Sequence, residues 1–299
     1  MTTTPDTRPE PTPTSSVSLA VVGSINIDVT ATSQRLPQAG ETVSGGALTR
    51  SAGGKGANQA AAAARLGART RMIGAVGDDS DGTAMLTSLQ RAGVDVSGVG
   101  TSAEATGTAV IMVDAAGENQ ISVCDGANAT VTVDGVDFGA DEIVLAQLEI
   151  PLATVIAAAR RCRGFFALNA APAARLPQEL IERADLIIVN ESEFALNPDL
   201  REAPLVAVTY GAKGAEILHH GEQSAFVPGL SAEVVSTVGA GDAFCAALTI
   251  ALCSGTSHTE ALHTANAVGA AVVADAQAQP QLKSITAYSI TRLPQVMWP

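Results

Sequence analysis

Aromatic residues are scarce in this sequence of 299 residues, at 3% of the chain, although 46% of its residues are hydrophobic. The length allows one large α/β domain or two small ones, and the core must be built mainly from Ala, Val, Leu and Ile. Cations are also few, because 17 Lys and Arg residues stand against 30 Asp and Glu residues and give a net charge of −13. Such a charge opposes binding to nucleic acid or anionic lipid, and we expect neither as a partner.

Cysteine is sparse as well, and its positions show no metal-ligand spacing. A disulfide framework is typical of small secreted domains rather than of a chain of this length. We therefore expect buried thiols in a reducing cytoplasm, at Cys124, Cys162, Cys245 and Cys253.

The sequence predicts neither a secretory signal nor a membrane span. The opening MTTTPDTRPEPTPTSS lacks the cationic start and apolar run of a signal, and its Thr and Pro content predicts a disordered tail over residues 1–16. The longest apolar stretch, IVLAQLEIPLATVIAAA, is interrupted by Gln147, Glu149 and Pro151. These features are typical of a soluble, cytoplasmic protein.

Short β-branched runs alternate with alanine-rich segments of helical period along most of the chain. Examples are SLAVVG, GANQAAAAARLG, RMIGAVG, DGTAMLTSLQRAG, EIVLAQL and PLATVIAAARRC. This order predicts an α/β fold with a mostly parallel sheet covered by helices on both faces. Two segments, residues 40–54 and 107–126, look extended and antiparallel and leave no room for a crossover helix. We expect them to form a small β-sheet over a crevice.

Polar residues that follow the strands are the first candidates for a site, because ligands of parallel sheets bind beyond the carboxyl ends of the strands. In GSINID, Asn26 and Asp28 are two residues apart in extended chain and share a face, which suits the hydroxyls of a polyol. A strand-end turn capped by the same two residues is an equal alternative. Glu149 follows the next buried strand, either as a ligand for hydroxyls or as the acid of a helix N-terminus.

The stretch SAGGKGANQA places Gly53, Gly54 and Lys55 before a helix and Asn58 in its first turn. Glycines there allow backbone N–H groups to approach a ligand closely. The spacing is not that of a Walker A loop. A plain glycine turn with an exposed lysine is the alternative.

Two further motifs suit a nucleotide and its metal ion. IIVNESE places Asn190 and Glu193 after an apolar strand, where they suit the water shell of Mg²⁺, unless Asn190 merely caps a helix. VAVTYGAKGAEIL offers Thr209 and Lys213 near a glycine turn, which holds phosphates or is a simple hairpin.

The stretch STVGAGDAFCAAL places Gly239, Ala240 and Gly241 at the start of an apolar helix. Unpaired N–H groups and the helix dipole attract negative charge at such a point. Asp242 follows, with a carboxylate suited to accept a proton. An anion pocket beside a base indicates phosphoryl transfer to a hydroxyl, whereas a simple N-cap role for Asp242 is the alternative.

Together these motifs resemble the ribokinase-like, or PfkB-type, family of carbohydrate kinases. From about Ser18 onward they come in the family's order, as GSINID, GETVSGG, GGKGANQAAAAARLGA, GENQIS followed by GAN, QLEIPL, LNAAPA, NESE, TYGAKG and VGAGDAF. The resemblance implies a Rossmann-like kinase domain over residues 17–299, with a β-sheet lid formed near residues 27–53 and 97–125. It also implies ATP- and Mg²⁺-dependent phosphorylation of a sugar's primary hydroxyl, and a homodimer built through the lid.

The resemblance assigns roles to the matching positions. The sugar would be held by Asn26, Asp28, Gly53, Gly54, Lys55, Asn58, Glu149 and Asp242. The nucleotide site would comprise Asn190, Thr209, Gly211, Ala212, Lys213, Gly214, Gly241 and Asn266. Glu193, with Asn190, would act on Mg²⁺ through water. The anion hole would be formed by Gly239, Ala240 and Gly241, and Asp242 would be the catalytic base.

One position departs from the family pattern. Members that act on ribose usually carry an Asp six residues before the catalytic Asp, at an activating K⁺ site, and here that residue is Ser236. Val238 belongs to the same loop, and the opposite side of the site reads ADAQAQPQ, with Asp275 as a conceivable substitute carboxylate. We predict that K⁺ activation is weakened or absent.

The motifs favour D-ribose as the substrate. A phosphorylated sugar would need more cations than Lys55 and the nearby Arg50 provide. A kinase for another sugar or nucleoside, and a non-catalytic binding protein of the same fold, are the alternatives. A pure binder has no need of the base Asp242, and no G-x-G-x-x-G follows the first strand as a dinucleotide enzyme would require.

Overall fold

The computed structural model describes residues 17–289, so the predicted tail, residues 1–16, lies outside the described residues, as do residues 290–299. The strands, in chain order, are β1 (Ser18–Val22), β2 (Asn26–Thr32), β3 (Ala47–Gly53), β4 (Arg69–Gly77), β5 (Asp95–Ser102), β6 (Gly107–Val113), β7 (Asn119–Cys124), β8 (Ile143–Gln147), β9 (Phe166–Asn169), β10 (Leu186–Asn190), β11 (Leu205–Thr209), β12 (Ala215–His219) and β13 (Glu222–Val227). The α-helices are α1 (Lys55–Arg65), α2 (Ser80–Arg91), α3 (Leu152–Arg161), α4 (Gln178–Arg183), α5 (Glu191–Leu196), α6 (Ala240–Cys253) and α7 (His258–Val273).

Nine strands form the main sheet, in the order β13-β12-β11-β10-β9-β8-β1-β4-β5. All neighbouring strands from β11 to β5 are parallel. Strand β12 is antiparallel to both β11 and β13, so it runs opposite to the other eight strands. The mostly parallel α/β fold predicted from the alternation of strands and helices is thereby confirmed. The predicted hairpin of the YGAKG motif is the antiparallel pair β11–β12.

The main sheet is covered on both faces. Leu19 and Val21 of β1 pack on one side with α1, α6 and α7, whereas Ala20 and Val22 pack on the other side with α3 and α4. Strands buried on both faces have no polar alternation, which explains the continuous apolar run of β8.

Helices α1 and α6 pack directly against each other, and both interfaces consist largely of alanine. Ala60 and Ala61 of α1 and Ala246 and Ala247 of α6 are fully buried. Small side chains let two helix axes approach closely, so the polar residues in the first turns of both helices are brought together. The shortage of aromatic residues therefore has a direct consequence for the site described below.

A separate four-stranded sheet, the lid, has the order β3-β2-β6-β7. Its β6–β7 hairpin turns at Gly117, as predicted. The predicted start of the second lid segment at residue 97 differs from the structure, because β5 pairs with β4 at the edge of the main sheet and the lid resumes at Gly107. The mostly exposed residues of β5 are typical of an edge strand and do not reveal which sheet it joins.

Within residues 17–289, no helix is long and apolar enough to cross a membrane. The four cysteines are free thiols, and only Cys124 on the lid is exposed. No cluster of three or more His, Cys, Asp or Glu side chains in this part of the chain is arranged to hold a metal ion directly.

Candidate active site

Two adjoining cavities open at the carboxyl ends of the main-sheet strands and share Thr209, Thr237 and Gly241. The larger cavity has a volume of about 670 Å³ and the smaller one about 240 Å³. Helix α6 begins between them, after Gly239, whose φ of 80° is in the left-handed region. A Cβ at Gly239 would lie 2.1 Å from the carbonyl oxygen of Ala278, so this turn requires glycine.

The larger cavity collects most of the residues assigned to the nucleotide. Its lining includes Thr209, Gly211, Ala212, Gly214, Gly241 and Asn266. The remainder is mainly small or apolar, with Leu230, Ala232 and Phe244 among the lining residues. Lys213 is not part of the lining, and its side chain is exposed on the turn between β11 and β12.

Asn266 has a structural task besides lining the larger cavity. Its Nδ2 donates to the carbonyl oxygens of Val227 and Pro228 at 3.1 and 3.3 Å. The amide therefore fixes the chain that follows β13 along the wall of the cavity, and it leaves Oδ1 as its available polar atom.

The smaller cavity contains the residues expected around a transferring phosphoryl group. Lys55, Asn190, Glu193, Gly239 and Asp242 line it. Asn169, Thr237 and Cys245 also line it, and sequence reasoning did not assign them a role. Asn169 lies in the quoted motif LNAAPA, and Cys245 is one helical turn after Asp242, so both were within reach of the sequence.

Backbone N–H groups at the start of α6 point to an anion site. Those of Gly239, Gly241 and Asp242 make no hydrogen bond within residues 17–289, whereas that of Ala240 donates to the carbonyl oxygen of Thr237 at 3.4 Å. Free N–H groups at a helix N-terminus attract negative charge. Of the three residues predicted for the anion hole, Ala240 is the one whose N–H group already has a hydrogen-bond acceptor.

Asp242 is buried, with 9% of its surface exposed, and two amides of α1 hold its carboxylate. Asn58 Nδ2 donates to Oδ2 and Gln59 Nε2 donates to Oδ1, both at 3.0 Å. Burial raises the pKa of Asp242, and this rise is opposed by Lys55 and by the two amide donors. The side chain is thus a buried carboxylate with donors on both oxygens, and not a simple N-cap. Gln59 was missed although it follows Asn58 directly in the sequence.

The glycine turn before α1 brings the candidate sugar ligands together. Gly54 has a φ of 86°, and a Cβ there would lie 2.7 Å from the backbone nitrogen of Asn26. Glu149 Oε2 accepts from Ser24 Oγ at 2.6 Å and from the Lys55 backbone nitrogen at 3.0 Å. One carboxylate therefore joins the end of β1 to the start of α1, and it keeps Oε1 for another partner.

Asn128 clamps the point where β1 gives way to the lid strand β2. Its Oδ1 accepts from the Ile25 backbone nitrogen at 2.8 Å, and its Nδ2 donates to Asn26 Oδ1 at 2.6 Å and to the Ile25 carbonyl oxygen at 3.3 Å. Asn128 and Ser24 were missed, although both lie in the quoted segments GAN and GSINID. Asn26 is left with its Nδ2 as the free donor.

Charge in the sugar region is concentrated on three carboxylates and one lysine. Burial, followed by repulsion from Glu149 and Asp242, raises the pKa of Asp28 to about 6. Burial lowers the pKa of Lys55, but attraction to Asp242 and Glu149 outweighs it and the net direction is upward. Lys55 is therefore the cation of a cluster in which the pKa values of Asp28 and Asp242 are raised.

Asn190 and Glu193 form a capping box at the start of α5. Asn190 Oδ1 accepts from the Glu193 backbone nitrogen at 2.9 Å and from Ser192 Oγ at 2.8 Å, and Glu193 Oε2 accepts from the Asn190 nitrogen at 2.8 Å. The alternative that Asn190 caps a helix is thus correct, although the residue also lines the smaller cavity. Burial raises the pKa of Glu193, with hydrogen bonding from Asn190 and attraction to Lys55 opposing it.

Ser236 does not replace the charge of an Asp at its position. Its Oγ accepts from the Val238 backbone nitrogen at 3.3 Å in a local turn. The backbone nitrogens of Val235 and Ser236 both donate to the carbonyl oxygen of Val273, which joins this loop to the end of α7. Asp275 Oδ1 accepts from the Gln277 nitrogen at 2.9 Å in a turn of its own.

The fold and these cavities are those of a kinase that acts on small polyols, and the comparison with known families agrees. The sequence matches the pfkB family of carbohydrate kinases over residues 17–285. The chain belongs to this family, and within it the chain is a ribokinase-like ATP-dependent sugar kinase.

Relatives in the family are similar over most of their length. A ribokinase from Bacillus subtilis is 40% identical over 271 residues, covering 83% of this chain and 90% of the relative. One from Haemophilus influenzae is 33% identical over 290 residues, covering 88% and 94%. The solved structure of Arabidopsis thaliana ribokinase complexed with ribose and ATP has a TM-score of 0.83 and 31% identity, covering 91% of this chain and 97% of that one.

The raised pKa of Asp28 predicts a stability cost at this position. Between pH 3.8 and about 6 the folded protein holds a proton that the unfolded chain has lost, so stability falls as the pH rises through that window. Asp28→Asn should raise the free energy of unfolding above pH 6, and the gain should disappear below pH 3.8. Urea denaturation at both ends of the window measures this. The exposed Asp199→Asn is the control, and equal stability of wild type and Asp28→Asn above pH 6 would contradict the assignment.

Proposed function

We propose that this chain transfers the γ-phosphoryl group of ATP to the primary hydroxyl of D-ribose, giving D-ribose 5-phosphate and ADP. The observation that carries the proposal is the place of Asp242. It lines the smaller cavity, beside the larger cavity on one side and in the electrostatic cluster of Asp28, Lys55 and Glu149 on the other. A base at the junction of a nucleotide site and a polyol site is what phosphoryl transfer to a hydroxyl requires.

The choice of ribose rests on the charges near the sugar site and on the relatives. Arg50, the cation that might have served a phosphorylated sugar, forms an ion pair with Asp81 of α2. Lys55 is already surrounded by carboxylates. An uncharged sugar therefore fits better than fructose 6-phosphate, and the Arabidopsis thaliana enzyme of the same fold binds ribose and ATP.

The proposed reaction follows from the hydrogen-bonding groups of the site. The oxygen of the sugar's primary hydroxyl forms a bond to the γ-phosphorus while its proton passes to the carboxylate of Asp242. The bond from the γ-phosphorus to the bridging oxygen breaks, and ADP leaves with that electron pair. The N–H groups of Gly239, Gly241 and Asp242 stabilise the charge on the transferring oxygens. Burial excludes water, which would otherwise compete for the phosphoryl group.

The residues of the smaller cavity fit an Mg²⁺ ion held through water. Glu193 uses Oε2 in the capping box and keeps Oε1, and a buried carboxylate of this kind suits the water shell of the ion. Asn190 fits a metal less well, because its Oδ1 already accepts two hydrogen bonds. We assign its Nδ2 to a phosphate oxygen instead. When bound, Mg²⁺ supplies charge neutralisation of the phosphates.

Asp242→Asn tests the proposed base. The variant should lower turnover by roughly 10²–10⁴-fold, because it cannot accept the hydroxyl proton. It should leave ribose affinity nearly unchanged in calorimetry. ADP release from ATP and Mg²⁺ should be measured with ribose, 2-deoxyribose, fructose, fructose 6-phosphate and adenosine, with Asp199→Asn as the control. Near-normal turnover of Asp242→Asn would remove the residue from this role, and wild-type inactivity on the whole panel would favour a binding protein or another substrate.

Ser236 predicts that the enzyme does not depend on K⁺. A neutral hydroxyl engaged in a local turn offers little to a monovalent cation. Turnover should therefore be similar in K⁺ and in Na⁺, whereas Ser236→Asp should run faster in K⁺ than in Na⁺. Steady-state rates of both proteins at equal ionic strength give the comparison. A many-fold stimulation of the wild type by K⁺ would overturn the prediction.

We also propose that two copies of the chain associate through their lids. Both faces of the lid expose large apolar side chains, Leu48 and Val110 on one face and Ile121 and Val123 on the other. Exposed apolar clusters of this kind are typical of protein interfaces. Sedimentation should show a dimer that Leu48→Lys or Ile121→Lys shifts towards monomer. Phe226→Lys, at an exposed apolar residue of β13, is the control, and a monomeric wild type would contradict the proposal.

A further inference from the structure

Four buried side-chain amides converge on the carboxylate of Asp242, two in contact with it and two behind them. The contacting amides are Asn58 and Gln59, described above. Behind them, Gln279 Nε2 donates to Asn58 Oδ1 at 2.9 Å, and Gln147 Nε2 donates to Gln59 Oε1 at 2.6 Å. None of the four is more than 9% exposed.

Each outer glutamine fixes the orientation of the amide that it contacts, Gln147 that of Gln59 and Gln279 that of Asn58. A primary amide has a donor end and an acceptor end, and a half turn about its last bond exchanges them. Gln59 Nε2 donates both to Asp242 Oδ1 and to Asn169 Oδ1 at 3.0 Å, while its oxygen accepts from Gln147. After a half turn, the oxygen of Gln59 would face two acceptors and its nitrogen would face the nitrogen of Gln147. The observed orientation is therefore the one in which these three hydrogen bonds of Gln59 form.

The side chain of Gln147 packs against Gly23, and a larger residue there would clash with it. Gln147 is the last residue of β8, and a Cβ at Gly23 would lie 1.9 Å from its Oε1. That oxygen has no hydrogen-bond partner within residues 17–289. A buried acceptor without a partner is costly, and the nitrogen of the same amide is the end that faces Gln59.

Gln279 repeats this arrangement from the other side. Its Oε1 is also buried without a partner in the described part of the chain. Arg65, at the end of α1, fixes the backbone there, because its Nη1 donates to the carbonyl oxygens of Gln279 and Pro280 at 2.7 and 3.0 Å. Gln279 is therefore held by both ends of α1, because its side chain contacts Asn58 in the first turn and its backbone contacts Arg65 in the last.

We propose that Gln147 and Gln279 are positioning residues for the catalytic base, acting through Gln59 and Asn58. They orient the two inner amides so that both oxygens of Asp242 receive N–H donors. The donors fix the rotation of the carboxylate and favour its anionic form, which is the form that accepts the hydroxyl proton. The inference deepens the proposed function and rests on Asp242 as its base.

The glutamine variants do not substitute the other charged groups around Asp242. Lys55 of α1 opposes the rise in the pKa of Asp242, and Glu149 beyond β8 adds to that rise. Asp28 of β2 and Cys245 of α6 also interact electrostatically with Asp242, and Glu193 of α5 interacts with Lys55 and Cys245. The same set of charges is therefore present in the wild type and in both glutamine variants.

The test uses Gln147→Leu and Gln279→Leu, each of which removes one outer donor at similar volume. In each variant the pKa of Asp242 should rise, read from the carboxyl carbon-13 resonance that is absent in Asp242→Asn. Turnover near neutral pH should fall by roughly 2- to 10-fold, the scale expected for one lost hydrogen bond between neutral groups. The acid limb of the pH profile should move upward, and KM for sugar and ATP should stay near the wild-type values.

Thr154→Val is the matched control. Thr154 is buried on α3, across the main sheet from α1, and its Oγ1 donates to the carbonyl oxygen of Val131 at 2.6 Å. The variant loses a buried hydrogen bond of similar kind, so it should lose stability and keep the titration of Asp242 and the pH profile unchanged.

The outcomes separate this inference from the proposed function. An unchanged pKa of Asp242 in the glutamine variants would overturn the positioning role, as would a shift of equal size in Thr154→Val. If only one glutamine variant folds, its titration decides. A wild type that phosphorylates no sugar would overturn the proposed function, while the carbon-13 titration would still show whether the glutamines control Asp242.

Discussion

The contact between α1 and α6 is the constraint on which the rest of the structure depends. A carboxylate at the start of α6 is buried, and it is held there by amides from the first turn of α1. Burial of a charge is tolerated only when hydrogen bonds and an opposite charge replace water. The small alanine side chains of the two helices let them approach closely, and Lys55 supplies the positive charge opposite Asp242.

Sequence reasoning reached the fold, and it named several residues that the structure brings together around the two cavities, because both depend on local patterns. Buried parallel strands show as apolar runs, and the glycine turns before α1 and α6 are visible as GGKG and GAGD. Whether a polar residue faces a cavity or a neighbouring side chain is a tertiary question, which a pattern does not answer. Gln147 and Gln279 lie far from Asp242 in the chain, and only the packing of β8 and the C-terminal segment brings them to it.

The same reasoning explains where predictions differ from the structure. The sequence of β5 does not show which sheet the strand joins, because that depends on which neighbouring strand has an open edge, and here that strand is β4. Lys213 follows a glycine as a phosphate-binding lysine would, yet its side chain is exposed and outside the cavity lining. In both cases the local sequence did not determine what the segment contacts in the folded chain.

The clamp made by Asn128 has a mechanical consequence. One amide holds the chain at Ile25 and Asn26, where the lid strand leaves the body, and it does so beside Gly107, where the second lid segment enters. Any hinge motion of the lid would therefore pivot at this point, next to the candidate sugar ligands. A small rotation there would carry the hairpin tip at residues 114–118 through a wide arc while Asn26 and Asp28 moved little. A hinge motion of this kind would change the width of the crevice and leave the two candidate sugar ligands of the lid nearly in place.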